Sequence, residues 1–522
     1  MKLWKFLFVL ILFPGVLMLD DPSAALAQSK PRQGGVLRFA LGVPITHLTM
    51  GKSEASDAGT IKRAIFETLI ERDMQGNYLP SLAKSWNVSP NGLTWTFKLQ
   101  EGVTFHDGHE LSAEDVKASY GRMLDPKYEL PLSRVLKVIS SVDIVDKYTV
   151  RINTGKPTAD MLPRLSWSHA AIMSKLAIDK WGADIDWHPV GTGPYRFEGH
   201  VPGESVTLVR YEKYWRRDQK GPYLDKIVFS TIREDATRVA MVQAGEADVV
   251  VNLPTADVAR LSRDPNVNVR SDPSSRVAHI GINCQKAPFN DVRVRQALNY
   301  AVDKKSLIAG VLRGVGKPSN SFISPIVWGY HGVDQYEYDP AKAKRLLSEA
   351  GYSKGFTATL ATPQGRYFAD KETAVAVQDM LSQVGLDVKV SVIDWATYIK
   401  KLTTPLDSND TELYLLGWEV GTGDIGYIND LVFTSAAWPP NGWNTMFYKN
   451  KAVDDLIART SNIMDNKKRY EAVSELQRLV VNDAPWIFLF VYQMTAASSK
   501  KVHGLEFLPT EVYTIENVWV EK

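Results

Sequence analysis

The sequence predicts a mixed α/β protein built as two lobes, and three observations lead there. At 522 residues the chain is far longer than one hydrophobic core serves, so at least two cores are needed. Strictly alternating apolar runs and helical spacings are interleaved in its first third, and its second half reads as helix, strand and helix in succession. No internal repeat, low-complexity tract or long Gly/Ser/Pro linker divides it, so lobes joined by crossing strands are expected rather than a flexible tether.

The N-terminus comes first because it sets the compartment. Lys2 and Lys5 precede an apolar run from Phe6 to Leu19 broken by Pro14 and Gly15, and Ala25-Leu26-Ala27 stands before Gln28. A charged segment, a short apolar segment and a small-x-small site read as a signal peptide over 1–27, cleaved near Ala27. The run is shorter than the roughly 18 to 20 apolar residues of a spanning helix. Cys284, the single cysteine, lies far from any position that a lipid anchor requires, so a free periplasmic protein is expected. As a lone thiol it can form no internal disulfide and reads as a small buried apolar residue.

With 44% hydrophobic and 10% aromatic residues the composition is that of an ordered globular protein. Net charge is +2, and the leader's two Lys and two Asp cancel, so its removal changes nothing. Such a balance offers no footprint for nucleic acid.

Along the chain, Leu93, Trp95, Phe97 and Leu99 alternate and define one face of a strand, as do Tyr148, Val150 and Ile152. Between them Ser112 can cap a helix starting at Ala113, with Asp115 in the reciprocal position of a capping box and Val116, Tyr120 and Met123 turned inward. Later, Val377, Met380, Leu381 and Val384 recur at helical spacing before Gly385, and Leu386, Val388, Val390 and Val392 alternate as a strand. Val453, Leu456 and Ile457 mark one late helix. Tyr470, Val473, Leu476 and Val480 mark another, stopped by Pro485.

Signatures of catalysis are missing. The sequence holds no phosphate loop, no His-Glu-x-x-His and no Cys-x-x-Cys. Gly191-Thr192-Gly193 runs into Pro194, which suits a tight turn rather than a pyrophosphate cradle. His106 and His109 could share a metal by spacing, but they flank Asp107-Gly108 and read better as a turn. No cofactor, no metal site and no enzyme activity are expected. A periplasmic hydrolase or a secreted receptor for another protein is the alternative from a different class, and paired carboxylates for glycoside hydrolysis cannot be placed by sequence alone.

Longer blocks carry a resemblance. Leu69-Ile70-Glu71, the stretch from Gly76 through Trp86, Gly92 to Leu99, and Gly102 to Gly108 followed by Leu111-Ser112-Ala113-Glu114-Asp115-Val116 come first. Pro189 to Phe197, Ala244 to Asp248, Phe289 to Leu298 with Ala301-Val302-Asp303-Lys304, and Ala343 to Tyr352 follow in order. Together they resemble the peptide/nickel (dipeptide, oligopeptide and glutathione) solute-binding family, across nearly all of the mature chain. The resemblance implies a large type II-like periplasmic-binding-protein fold with an extra subdomain in lobe I and two hinge strands. Lobe I would be 28–280 plus 487–522 and lobe II 283–485, with crossings near Ile280 to Asn283 and Trp486 to Phe490. It also implies capture of a small peptide or peptide-like solute by domain closure, and delivery to an inner-membrane ABC permease with its ATPase. A monomer is expected. An opine, an oligosaccharide or a metal chelate remains open as the solute.

A zwitterionic peptide needs one partner of each charge. In Leu416-Gly417-Trp418-Glu419-Val420-Gly421-Thr422-Gly423-Asp424, the resemblance places Asp424 where peptide-binding relatives pair the ligand's α-amino group. A turn aspartate is the plainer alternative. The loop departs from those relatives, which usually continue Asp-Pro-Asp, and its Thr-Gly-acid pattern is closer to the glutathione-binding branch. Arg366, in Gln364-Gly365-Arg366-Tyr367, is the candidate for the carboxylate, or else pairs with Asp370. Trp395, Trp418, Tyr427 and Trp443 are candidate aromatic walls, and Asn444 a candidate amide contact.

Overall fold

A computed structural model describes residues 30–52, 56–73, 75–333, 335–508 and 510–521. The expected signal peptide and its cleavage site lie outside the described residues. No described helix is long and apolar enough to cross a membrane.

The alternating run of the first third becomes strand Thr94–Leu99, with Trp95, Phe97 and Leu99 buried at 5%, 0% and 0% exposure. It lies second in a four-stranded antiparallel sheet ordered Ala83–Val88, Thr94–Leu99, Thr149–Thr154, Ile139–Asp146. Helix Ala113–Leu124 starts where expected. The Ser112 backbone N–H donates to Asp115 Oδ2 at 2.9 Å, and Val116, Tyr120 and Met123 are buried. Asp107-Gly108 is a turn, with Gly108 at φ +93°. His106 is hydrogen-bonded to the Gly193 carbonyl, and His109 lies between Asp107 and Asp115. Gly191 and Gly193 seat their loop directly on the end of helix Ser56–Ile65: a Cβ at either would come within 2.1 or 2.5 Å of the Ile65 or Ala64 carbonyl oxygen.

Eleven strands form the main sheet, which runs through both lobes. In space its order is Asp387–Ile393, Thr357–Pro363, Leu413–Trp418, Val267–Ile282, Trp486–Ser499, Val249–Val251, Val36–Leu41, Lys226–Thr231, Ser205–Arg210 and Tyr195–Val201, with Lys317–Pro318 also on Trp486–Ser499. The two central strands are 16 and 14 residues long and antiparallel. Val267 to Pro273 pairs with Ser499 to Gln493 on the lobe I side. After a register shift, Val277 to Gly281 pairs with Val491 to Trp486 on the lobe II side. There Val277 to Ile282 also pairs with Trp418 to Leu413. The sheet thus changes neighbours within two continuous strands, with a register shift between Pro273 and Val277.

Most of the later periodicities are found as helices and a strand. Asp370–Ser382 ends near Gly385 at φ +95°, and Asp387–Ile393 follows. Val392 is 40% exposed because this strand is the outermost of its sheet. Lys451–Asn462 and Asn466–Asp483 bury Val453, Leu456 and Ile457, and Val473, Leu476 and Val480. Tyr470 departs from the expected stripe. It is 41% exposed, and its hydroxyl donates to the Tyr330 carbonyl. Cys284 is buried, which pushes its thiol up to about 11.

Candidate functional site

Where the two lobes face each other, a cavity of about 120 Å³ is lined from both sides. Lobe I supplies Arg63, Arg72 and Trp167, and lobe II supplies Glu419, the loop Gly421-Thr422-Gly423, and Tyr427. The lobe II wall is the loop after strand Leu413–Trp418 and before the short helix Ile425–Ile428. Gly423 holds φ +68°, where a side chain is unfavourable, and its N–H donates to the Val420 carbonyl at 2.8 Å. Trp328 pins the loop's far end: its N–H donates to Gly423 O at 2.9 Å, and its carbonyl accepts from Ile425 N at 3.1 Å.

Asp424 turns away from this cavity. Its carboxylate caps the Gly426 N–H at 2.8 Å and takes both guanidinium nitrogens of Arg469, at 2.6 and 2.7 Å. Both side chains are 3% exposed, and Arg469 lies 4.3 Å over the Trp328 ring. A bidentate buried pair of this kind satisfies both charges within lobe II. The plainer alternative for Asp424, a turn aspartate, describes this geometry.

Arg366 lines a different cavity of about 590 Å³ on the hinge side, together with Arg276, Tyr367, Tyr492 and Glu511. Asp370 does not pair with its guanidinium. That carboxylate instead accepts the backbone N–H groups of Gly365, Arg366 and Tyr367 at 3.0 to 3.2 Å, shaping the turn. The Arg366 guanidinium rests over Trp395 at 4.9 Å and Tyr367 at 5.5 Å, so Trp395 is brought to Arg366 and away from the first cavity.

Of the remaining candidates, only Tyr427 reaches the first cavity, 3% exposed and 6.0 Å from Trp167. Trp418 and Trp443 pack on each other at 6.0 Å and line neither cavity. Asn444 has its amide bonded within its own loop. At 0% exposure, its amide donates to the Thr434 and Tyr448 carbonyls and accepts from the Tyr448 N–H, so it braces its own loop.

Three side chains that the sequence did not single out matter here. Arg72, at the end of the hairpin strand Ile70–Arg72, donates through Nη1 to Gly423 O at 3.0 Å and so bridges the lobes. Arg164 of lobe I joins Asp160 at 2.6 Å and Asp430 of lobe II at 3.0 Å. Burial opposes ionisation of Asp160, but Arg164 and then Arg469 hold its carboxyl below the usual range. Burial raises Asp430 despite Arg164. Arg276, on the crossing strand, joins Glu419 of the cavity wall to Glu511 of the C-terminal segment at 2.7 and 2.8 Å. None of these contacts between distant segments has a local sequence signal, because Gly423, Asp430, Glu419 and Glu511 each lie 143 or more residues from their arginine.

The cavity thus has walls from both lobes, and solved proteins of the same architecture are known in complex with peptides. The model of the bacterial extracellular solute-binding proteins, family 5 (middle region) matches residues 77–439. Glutathione-binding protein GsiB of Escherichia coli O1:K1 / APEC is 31% identical over 473 residues, 90% of this chain and 92% of its own length. Among solved structures, the periplasmic binding protein DppA of Helicobacter pylori in complex with peptide STSA shares 29% identity and a TM-score of 0.82, covering 94% of this chain and 99% of that one. The oligopeptide-binding protein AppA of Bacillus subtilis in complex with a nonapeptide shares 27% and 0.80, covering 94% and 100%. With its two lobes, crossing strands and interlobe cavity, the chain belongs to the bacterial extracellular solute-binding proteins, family 5.

Proposed function

We propose that this chain is the periplasmic capture component of an ABC importer, which traps a small peptide or peptide-like solute between its lobes and delivers it to an inner-membrane permease and its ATPase. The observation that carries the reading is the interlobe cavity, walled by Arg72 and Trp167 on one side and Gly421 to Gly423 with Tyr427 on the other. Capture is binding without chemistry, by a monomer whose leader is removed near Ala27. Strand pairing supports lobe boundaries at Pro273 to Val277 and Val491 to Gln493, about half a strand from the crossings that the resemblance implies. Arg366, its guanidinium over Trp395, borders the second cavity and serves longer or second carboxylates. Tyr427 walls the first.

Thermal unfolding tests the reading. A captured solute stabilises by RT ln(1 + [L]/Kd), about 2.7 kcal/mol at a hundredfold excess over Kd. Di- and tripeptides and glutathione are expected to raise Tm. A panel in which only opines, sugars or metal chelates do so would replace the solute class, and a panel with no shift would sink capture itself.

A further inference from the structure

The carboxylates around the first cavity already have partners. Asp424 is held bidentate by Arg469. Asp73 accepts the Gln75 and Asn77 backbone N–H groups at 2.9 and 2.8 Å, and Asn77 Nδ2 at 2.9 Å on its other oxygen. Glu419 joins Arg276 at 2.7 Å. An ammonium entering the cavity therefore meets acids whose charge is already balanced or whose oxygens are already bonded.

Arg72 is the opposite case. Its guanidinium lines the cavity, and its donors reach only carbonyl oxygens: Gly423 at 3.0 Å, Gly76 at 3.4 Å and Thr422 at 3.5 Å. No ion pair to Arg72 occurs among the described residues. Carbonyls bring partial charge only, and among the described residues no carboxylate is bonded to the Arg72 guanidinium where it lines the cavity between the lobes. The lobe II wall leaves it space, since a Cβ on Gly423 would come within 1.7 Å of Arg72 Nη1. Arg63, the other guanidinium on the wall, is joined to Glu516 at 3.5 Å.

We propose that Arg72 is the specificity-determining residue of this site: it takes the carboxylate of the solute by charge-assisted hydrogen bonds, while the α-amino group goes largely unread because Arg469 neutralises Asp424. The solute class is then a compact peptide-like anion, N-acylated forms included. This inference rests on the capture reading.

Titration calorimetry on the full mature chain tests it, using di- and tripeptides and glutathione in three forms: free, N-acetylated and C-amidated. Among compounds that bind, N-acetylation is expected to weaken affinity less than tenfold and amidation more than a hundredfold. Arg72→Gln is expected to weaken the free acids more than a hundredfold and the amides less than tenfold. A residue that only staples the lobes would weaken both alike. If amides bind as tightly as acids, or N-acetylation abolishes binding, the Arg72 assignment is overturned and capture stands. If no form of any compound binds, capture itself falls.

Discussion

A carboxylate in a glycine-rich loop can serve a ligand or serve the loop, and at position 424 Arg469 decides which. The acid and the turn around it are legible in Gly421-Thr422-Gly423-Asp424, but the partner stands 45 residues later on another helix, where nothing in the local pattern marks it. Removing Asp424 would leave the Arg469 guanidinium, 3% exposed, without its bidentate partner and with only the more distant Asp160 carboxylate to balance it. Breaking one side of such a pair costs about 3 to 5 kcal/mol. Asp424→Ala is therefore expected to lose that much in urea unfolding, with or without solute, and Asp424→Ala combined with Arg469→Met to regain part of it. A loss below about 1 kcal/mol, together with abolished binding of amine-bearing peptides, would return Asp424 to a direct ligand role. Arg72 was illegible for a related reason. It ends a three-residue hairpin strand, and its importance comes from the Gly423 carbonyl 351 residues away.

At the scale of elements, periodicity was a good guide wherever one face meets a core. The strand around Trp95 and Phe97, the capped helix after Ser112 and the helices bearing Val377 and Val473 all have one apolar side, so their pattern fixes type and orientation. The crossing strands gave less away. From Val277 to Ile282 and from Trp486 to Val491 every residue is buried, so no alternation reports which face is which or where the strand ends. Their junction is instead secured by side chains from the C-terminal segment. Glu511 accepts from Ser274 Oγ at 2.8 Å and from Arg276 at 2.8 and 3.1 Å, beside the register shift. Burial works against this carboxylate, and Arg276 holds it below the usual range. Glu511→Gln removes its charge while keeping its size, leaving Arg276 with Glu419. The variant is expected to lose about 1 to 3 kcal/mol, and hydrogen exchange at 274–277 should quicken more than in the sheet interior. Equal exchange rates in both proteins would show that the hinge does not depend on this ion pair.

Across the whole molecule, the sheet that makes one body of two lobes also places a titratable group at its centre. His279 sits on the first crossing strand, fully buried, its ring stacked on Trp486 of the second at 3.4 Å and 8°. Burial lowers it to about 3, against an ordinary value near 6.5. The neutral ring is thus the folded form, and the unfolded chain takes up the proton first. Its contribution to stability is fully present above pH 6.5 and is lost progressively as pH falls toward 3, at about 1.4 kcal/mol per unit. His106 and His169, both lowered chiefly by burial, act in the same direction in lobe I. His279→Phe keeps an aromatic ring against Trp486 and removes the proton site. Between pH 7.5 and 5.0 the variant should lose about 2 kcal/mol less than the parent chain in urea unfolding. Because the affected strands join the lobes, the acid-weakened parent should also lose cooperativity between them, seen as separate unfolding of lobe I and lobe II tryptophans near pH 4. A variant that loses as much stability as the parent would place the acid sensitivity elsewhere, in the lobe I histidines.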